Sequence, residues 1–267
     1  MTGSTIAAAK WIVDAHVHFY PRFNLADWVG WLSRNLASCG RADVYAALFA
    51  ERRDCHAFAE LAAGRLRADG VTVEPVSGAG GVALKIERNG SDPVWLMPGR
   101  QLVTAEGIEM LAWLTDAEIP ERLPAEETVS AICGAGGIPV VNWAPGKWWF
   151  RRGAIIGRLL ERASPGTLFL CDTALRPNLW PEPVLMRSGS GRGFAVFAGT
   201  DPLPLRGEER QAGRYATGMT GEFTVADPFG SMRRLLTGGA TSPGRAGYRN
   251  GVLEAAMRLG RLAASRR

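Results

Sequence analysis

Only four cysteines occur in 267 residues, Cys39, Cys55, Cys133 and Cys171, and no two form a CxxC pair. That spacing argues against both a cysteine-rich zinc site and a disulfide framework, so a reducing cytoplasm is the expected setting. No run approaches the roughly 18 consecutive apolar residues that a membrane helix needs. Residues 1–10 lack a basic start followed by an apolar stretch, and no secretory signal is read there. Lysine is scarce: Lys10, Lys85 and Lys147 stand among 31 basic residues, the rest being arginine, for a net charge of +5. The arginines fall singly or in pairs such as Arg52–Arg53 and Arg233–Arg234, with no basic run interleaved with aromatics. Nucleic acid is therefore not an expected partner. A small anionic substrate is, because the guanidinium fork matches phosphate and carboxylate geometry.

What is present is a globular composition, 46% hydrophobic and 21% charged, which excludes a largely disordered chain. Residues 11–20, WIVDAHVHFY, alternate with period two and read as a strand. Residues 24–38 space Leu25, Trp28, Val29, Leu32 and Leu36 at helical intervals behind Asn24, a natural N-cap. A strand over 42–50 and a helix over 56–68, closed by Gly70, follow. Residues 71–104 change texture into short β-like runs broken by Gly, Pro and Asn89-Gly90, a hairpin signal. At about 35 residues this stretch is too small for its own core, so it reads as an inserted meander. Beyond it, strands are expected at 108–114, 138–143, 167–173 and 194–200. Helices are expected at 124–134, at 153–163, after Pro181 and at 250–264. Residues 206–223, rich in Gly and Arg, read as a loop. The strand–helix rhythm points to a parallel α/β sheet or barrel.

Histidine is limited to His16, His18 and His56. His16 and His18 stand two apart on the first strand, so both imidazoles project to one face at its C-terminal end. In an α/β barrel that end is the functional face, and neutral imidazole is the commonest metal ligand. The competing reading is two unrelated histidines on a half-exposed strand. Asp14, on the same face one step deeper, is either an acceptor orienting an imidazole or an ordinary strand-start residue. Glu109 opens a predicted strand, and Asp201 follows the apolar strand FAVFAGT, where Gly199 and Thr200 would let the chain turn. Two histidines and two carboxylates make a donor set suited to one divalent ion, Zn, Mn or Fe. Trp143, Trp148 and Trp149 flank one strand-end loop, either as core or as a surface on which a flat ring stacks. GAGG at residues 134–137 lies between helix and strand, the reverse of a dinucleotide fingerprint, and no GxSxG supports a serine hydrolase.

With HVH on the first strand, GIE in mid-chain, GGIPVVNWAPG and GTDPL, residues 11–205 resemble the PHP (polymerase and histidinol phosphatase) superfamily. The resemblance implies one domain over 1–267, a distorted PHP-like (βα)7 barrel with the 71–104 β insertion and a C-terminal loop and helices over 206–267. It also implies metal-dependent phosphoester hydrolysis, with His16, His18, Glu109 and Asp201 as the ligands of a first metal site and Glu109 bridging to a second. Three positions depart from the pattern. Ala144-Pro145 replaces a histidine-proline, Cys171 or Asp172 stands where a histidine is usual, and Asp201-Pro202-Leu203 replaces an Asp-x-His. A first site with the others stripped implies a single ion. Asp201 is then the expected catalytic base, and His56, Arg100, Gln101 and Lys147 are the expected substrate-binding residues. A barrel that has lost turnover and serves as a binding module, and an amidohydrolase-like C–N hydrolase, are the rival expectations.

Overall fold

The computed structural model describes residues 4–238 and 243–265. The chain runs β1 (Thr5–Val17), α1 (Leu25–Cys39), β2 (Val44–Phe49), α2 (Ala57–Ala62), β3 (Val71–Gly78), β4 (Gly81–Arg88) and β5 (Val94–Met97). It continues through β6 (Gly99–Val103), β7 (Glu109–Trp113), α3 (Ala125–Gly134), β8 (Ile138–Asn142), α4 (Phe150–Arg162) and β9 (Phe169–Thr173). It ends with α5 (Val184–Gly191), β10 (Val196–Gly199), β11 (Tyr215–Thr224), α6 (Pro228–Thr237), β12 (Gly244–Gly247) and α7 (Val252–Ser265).

The expected (βα)7 barrel is not what these strands build. They form two open sheets, one of seven strands ordered β12-β11-β1-β2-β5-β4-β3 and one of five ordered β10-β9-β8-β7-β6. Connection length explains the difference. A parallel neighbour needs a crossover of about a dozen residues or more. Only Ala79 and Gly80 separate β3 from β4, and only residues 104–108 separate β6 from β7, so both pairs are antiparallel. β11 also runs antiparallel beside β1, and it lies in the segment expected to be a loop. The meander divides: β3 to β5 extend the first sheet, joined to it by the parallel β2–β5 pair, whereas β6 belongs to the second. Helix α2 is also shorter than expected, because Gly64 at φ +64° turns the chain well before Gly70.

The sheets share a core in which Trp11, Val13 and Leu48 of one meet Trp113, Phe169 and Phe197 of the other. Trp113 packs edge-on against Phe197 at 5.0 Å. Helices α1 and α2 cover the outer face of the first sheet, and α3, α4 and α5 cover that of the second. In α1, Asn24 accepts from the Asp27 N–H, the cap its sequence suggested.

Two glycines let the sheets approach each other. A methyl group on Gly99 would collide with the Phe49 carbonyl, and one on Gly199 with the backbone nitrogen and Cβ of His16. Gly199 therefore serves close approach, and the left-handed turn after β10 falls on Asp201 itself, at φ +53°. Gly199→Ala is expected to lower unfolding free energy by about 2–4 kcal/mol, since overpacking against backbone has nowhere to relax. Urea denaturation checks this, and wild-type stability would contradict the contact.

Candidate metal centre

The C-terminal ends of β1, β8 and β10 and the start of β7 come together at one end of the sheets. β1 delivers His16 and, one residue beyond the strand, His18, both buried. The loop after β10 delivers Asp201, whose N–H donates to the His16 carbonyl at 2.8 Å. A non-glycine residue in the left-handed region stores strain, and such strain concentrates at functional sites.

Among the described residues, His16, His18 and Asp201 form the group able to hold a metal ion, their donor atoms all within 4.8 Å of one another. The two imidazole Nε2 atoms are 3.0 Å apart, and Asp201 Oδ1 lies 3.6 Å from His16 Nε2 and 3.4 Å from His18 Nε2. Donors on one tetrahedral ion, at bonds of about 2.0–2.1 Å, stand about 3.3–3.4 Å apart. The separations fit that set.

The protonation pattern fits as well. Asn142, the last residue of β8, places its Oδ1 3.2 Å from His16 Nδ1 and its Nδ2 3.5 Å from Glu109 Oε2. Held this way, Asn142 accepts from His16 Nδ1–H and donates to Glu109, leaving His16 Nε2 with its lone pair. That lone pair faces Asp201 Oδ1, His18 Nε2 and, at 3.2 Å, Gln101 Oε1. Burial lowers the His16 pKa below the usual histidine value, so the ring resists protonation. Burial would raise Asp201, but the neighbouring imidazoles and Arg258 outweigh it and hold the carboxyl below its ordinary range. Two imidazoles and a carboxylate thus converge in a buried space, an arrangement that a cation satisfies.

Glu109, the fourth expected ligand, is not part of the three-residue group. It stands beside it, with Lys147 Nζ 4.0 Å from its Oε1. Burial and the Asp201 charge push its pKa up, while Lys147, His16 and Asn142 oppose that shift. The positions that depart from the PHP pattern are filled. Leu203 packs with Leu175 and Leu205 beneath Leu259 and Leu262 of α7. Asp172 is held by the Arg176 guanidinium and accepts from the Tyr215 hydroxyl at 2.9 Å. Cys171 is buried with its thiol pushed well above the usual value, which disfavours the ligating thiolate.

His56, Arg100 and Gln101 line a cavity of about 800 Å³, together with Glu51, Arg53 and Arg122. Arg100 gives its N–H groups to the Asp116 and Cys55 carbonyls, and its Nη2 lies 3.5 Å from His56 Nδ1. Gln101 joins this cavity to the imidazoles. Glu51, in the cavity wall, accepts from the Phe58 N–H, and burial pushes its pKa up to about 7 from 4.5. The folded form therefore binds the extra proton between about pH 4.5 and 7, and this group withdraws stability as pH rises through that window. Glu51→Gln is expected to raise stability by about 1–3 kcal/mol at pH 8 and by almost nothing at pH 4.5. Urea midpoints at the two pH values check the difference; an equal effect at both would contradict it.

Sequence reasoning passed over Asn142, although a lone amide closing the apolar strand IPVVN was a usable signal. It also left the task of Asp14 open. Asp14 accepts from the backbone N–H groups of His16, Thr200 and Gly213 and from the Thr200 hydroxyl, so it ties β1 to the loop carrying Asp201.

No family model matches the chain, and no curated protein matches it. Among solved structures, PsfC from Pseudomonas syringae PB-5123 is similar with a TM-score of 0.47 at 14% identity, over 87% of this chain and 99% of that one. The lesion-specific endonuclease PfuEndoQ from Pyrococcus furiosus gives a TM-score of 0.47 at 13% identity, over 88% of this chain and 57% of that one. An Endonuclease Q complex with a 27-mer duplex substrate bearing an abasic lesion gives 0.46 at 10% identity, over 88% and 58%. The chain thus spans a little over half of each endonuclease chain. No helix among the described residues is long and apolar enough to cross a membrane.

Proposed function

We propose that the chain is a divergent PHP-like hydrolase that uses one divalent metal ion, Zn, Mn or Fe, to cleave a small phosphoester. The observation that carries this reading is the convergence of His16 Nε2, His18 Nε2 and Asp201 Oδ1 at separations of 3.0–3.6 Å. When bound there, a divalent ion supplies Lewis acidity, polarising an ester oxygen and easing deprotonation of a water. The remaining work falls to the chain. Asn142 fixes the His16 tautomer. Asp201, kept ionised, receives the proton of the attacking water on a carboxylate oxygen. Lys147, partly exposed beside Glu109, meets the substrate's negative charge, and the cavity lined by His56, Arg100 and Gln101 takes up the rest of the molecule. Filling of the Leu203 and Asp172 positions supports one ion rather than several.

The test is phosphate release from a panel of small phosphomonoesters by chelated protein, before and after metal is restored. Turnover is expected only with metal, and Lys147→Ala is expected to raise KM about tenfold with metal content unchanged, the loss of one charge-assisted contact. Full turnover in the chelated protein would contradict the reading. Cleavage of amides or lactones but not phosphoesters would favour the amidohydrolase-like rival.

A further inference from the structure

Tyr20 continues the two-residue spacing of His16 and His18 beyond the end of β1. Its ring lies against the His18 imidazole, 24° between planes and 5.1 Å between centroids. Phe23 meets the same ring edge-on at 5.4 Å. The backbone fixes this arrangement as well. The Phe23 N–H donates to the Tyr20 carbonyl at 2.8 Å, across a turn whose second position is Pro21, where a fixed φ is favoured. Only 7% of Tyr20 is exposed, and it packs directly on one of the three residues able to hold a metal ion.

Packing alone does not call for a tyrosine, because phenylalanine would fill the same stack. The hydroxyl is the unexplained part. Buried tyrosine hydroxyls ordinarily find a partner, yet that of Tyr20 makes no hydrogen bond among the described residues. It is not one of the sealed-off polar atoms either, so it opens to solvent. The charges of Asp201 and Glu109 both act on it, as does that of Arg52 in the loop after β2. Burial and Asp201 push its pKa up while Arg52 opposes them, so the group keeps its proton and remains a donor. Arg52 itself is exposed, and its guanidinium has no ion-pair partner among the described residues. The Asp201 and Glu109 carboxylates offset the charge of an ion bound at the centre. An incoming phosphoryl group therefore gains from every neutral or cationic donor nearby.

We infer that Tyr20 is a substrate-binding residue whose hydroxyl donates a hydrogen bond to a phosphoryl oxygen, with the Arg52 charge supporting it. The inference rests on the phosphoester reading above and adds to it a donor that comes from β1's own extension.

The experiment is calorimetric titration of manganese-loaded full-length protein with inorganic phosphate, for the wild type, Tyr20→Phe and Arg52→Ala. Phenylalanine keeps the ring against His18, so metal content and melting temperature are expected to stay as in the wild type. Phosphate affinity is expected to fall about tenfold or more in Tyr20→Phe, the scale of one hydrogen bond to a charged group, and KM for a phosphomonoester to rise with it. Arg52→Ala is expected to weaken phosphate about two- to fivefold, with the difference shrinking as salt is raised. No phosphate binding by the wild type, or wild-type affinity in Tyr20→Phe, overturns the inference. So does a fall in kcat with phosphate affinity unchanged, because the hydroxyl then serves the attacking water. Loss of metal from Tyr20→Phe overturns it too, since the hydroxyl would then be supporting His18. The two readings fail separately. Unchanged affinity in Tyr20→Phe with metal-dependent phosphate release intact removes only the donor, whereas Tyr20-dependent phosphate binding without release from any ester removes the phosphoester reading.

Discussion

Asp201→Asn is expected to remove most of the protein's capacity to bind a divalent ion while leaving the fold intact. Asparagine keeps the shape of the side chain and tolerates the left-handed backbone that Asp201 adopts at φ +53° better than other non-glycine residues do. The N–H that donates to the His16 carbonyl is also retained. What disappears is the anionic oxygen facing two imidazoles. Changing a residue that merely orients a ligand already lowers metal affinity about 10–100-fold, so losing one ligand of three should lower it at least about 100-fold. His16→Ala/His18→Ala should abolish binding outright. Asn142→Leu, which removes no ligand, should fall in the 10–100-fold range because His16 loses the acceptor that sets its tautomer. Metal content after dialysis, measured beside thermal unfolding of the metal-free proteins, separates loss of a site from loss of the fold. Equal metal content in wild type and Asp201→Asn would contradict the assignment.

Asp14→Ala should be the most destabilising of the substitutions considered. The Asp14 carboxylate is fully buried and accepts from three backbone N–H groups and one hydroxyl. Alanine leaves those donors without a partner in a place water does not reach, at about 1–3 kcal/mol for each that cannot rearrange. The expected loss is at least about 3 kcal/mol, or a melting temperature lower by about 10 °C for a chain of this size. Asp14→Asn, which keeps one acceptor oxygen, should lose about half as much. The same contacts hold the His16 backbone and the loop carrying Asp201, so metal affinity should fall with stability in both variants. A stable Asp14→Ala protein would show that the network is dispensable.

Local pattern carried much of the site and little of the topology. The alternation in WIVDAHVHFY placed both histidines on one strand face, and the apolar run before Asp201 placed that carboxylate at a strand end. The two meet only because β10 closes on β1 at Gly199, a long-range approach that no local signal announces. The open sheets were hidden for a similar reason. Strand β11 carries Tyr215, Thr217 and Met219 on alternate positions, but Gly218, Gly221 and the arginines before it made the stretch read as loop. Helix α6 did have a signal, Asp227 as N-cap ahead of Pro228 at the first helical position, in a segment read without structure. Glu109 was legible at the start of β7, and it stands beside the three-residue group with the Asn142 amide 3.5 Å from its carboxylate.

His16, His18 and Asp201 are expected to share one ion. Anomalous diffraction from crystals of the full-length protein grown with manganese or zinc tests it most directly. A single peak per chain is expected, about 2.0–2.2 Å from His16 Nε2, His18 Nε2 and an Asp201 oxygen. A map with no peak there, or with the ion held elsewhere, would contradict it.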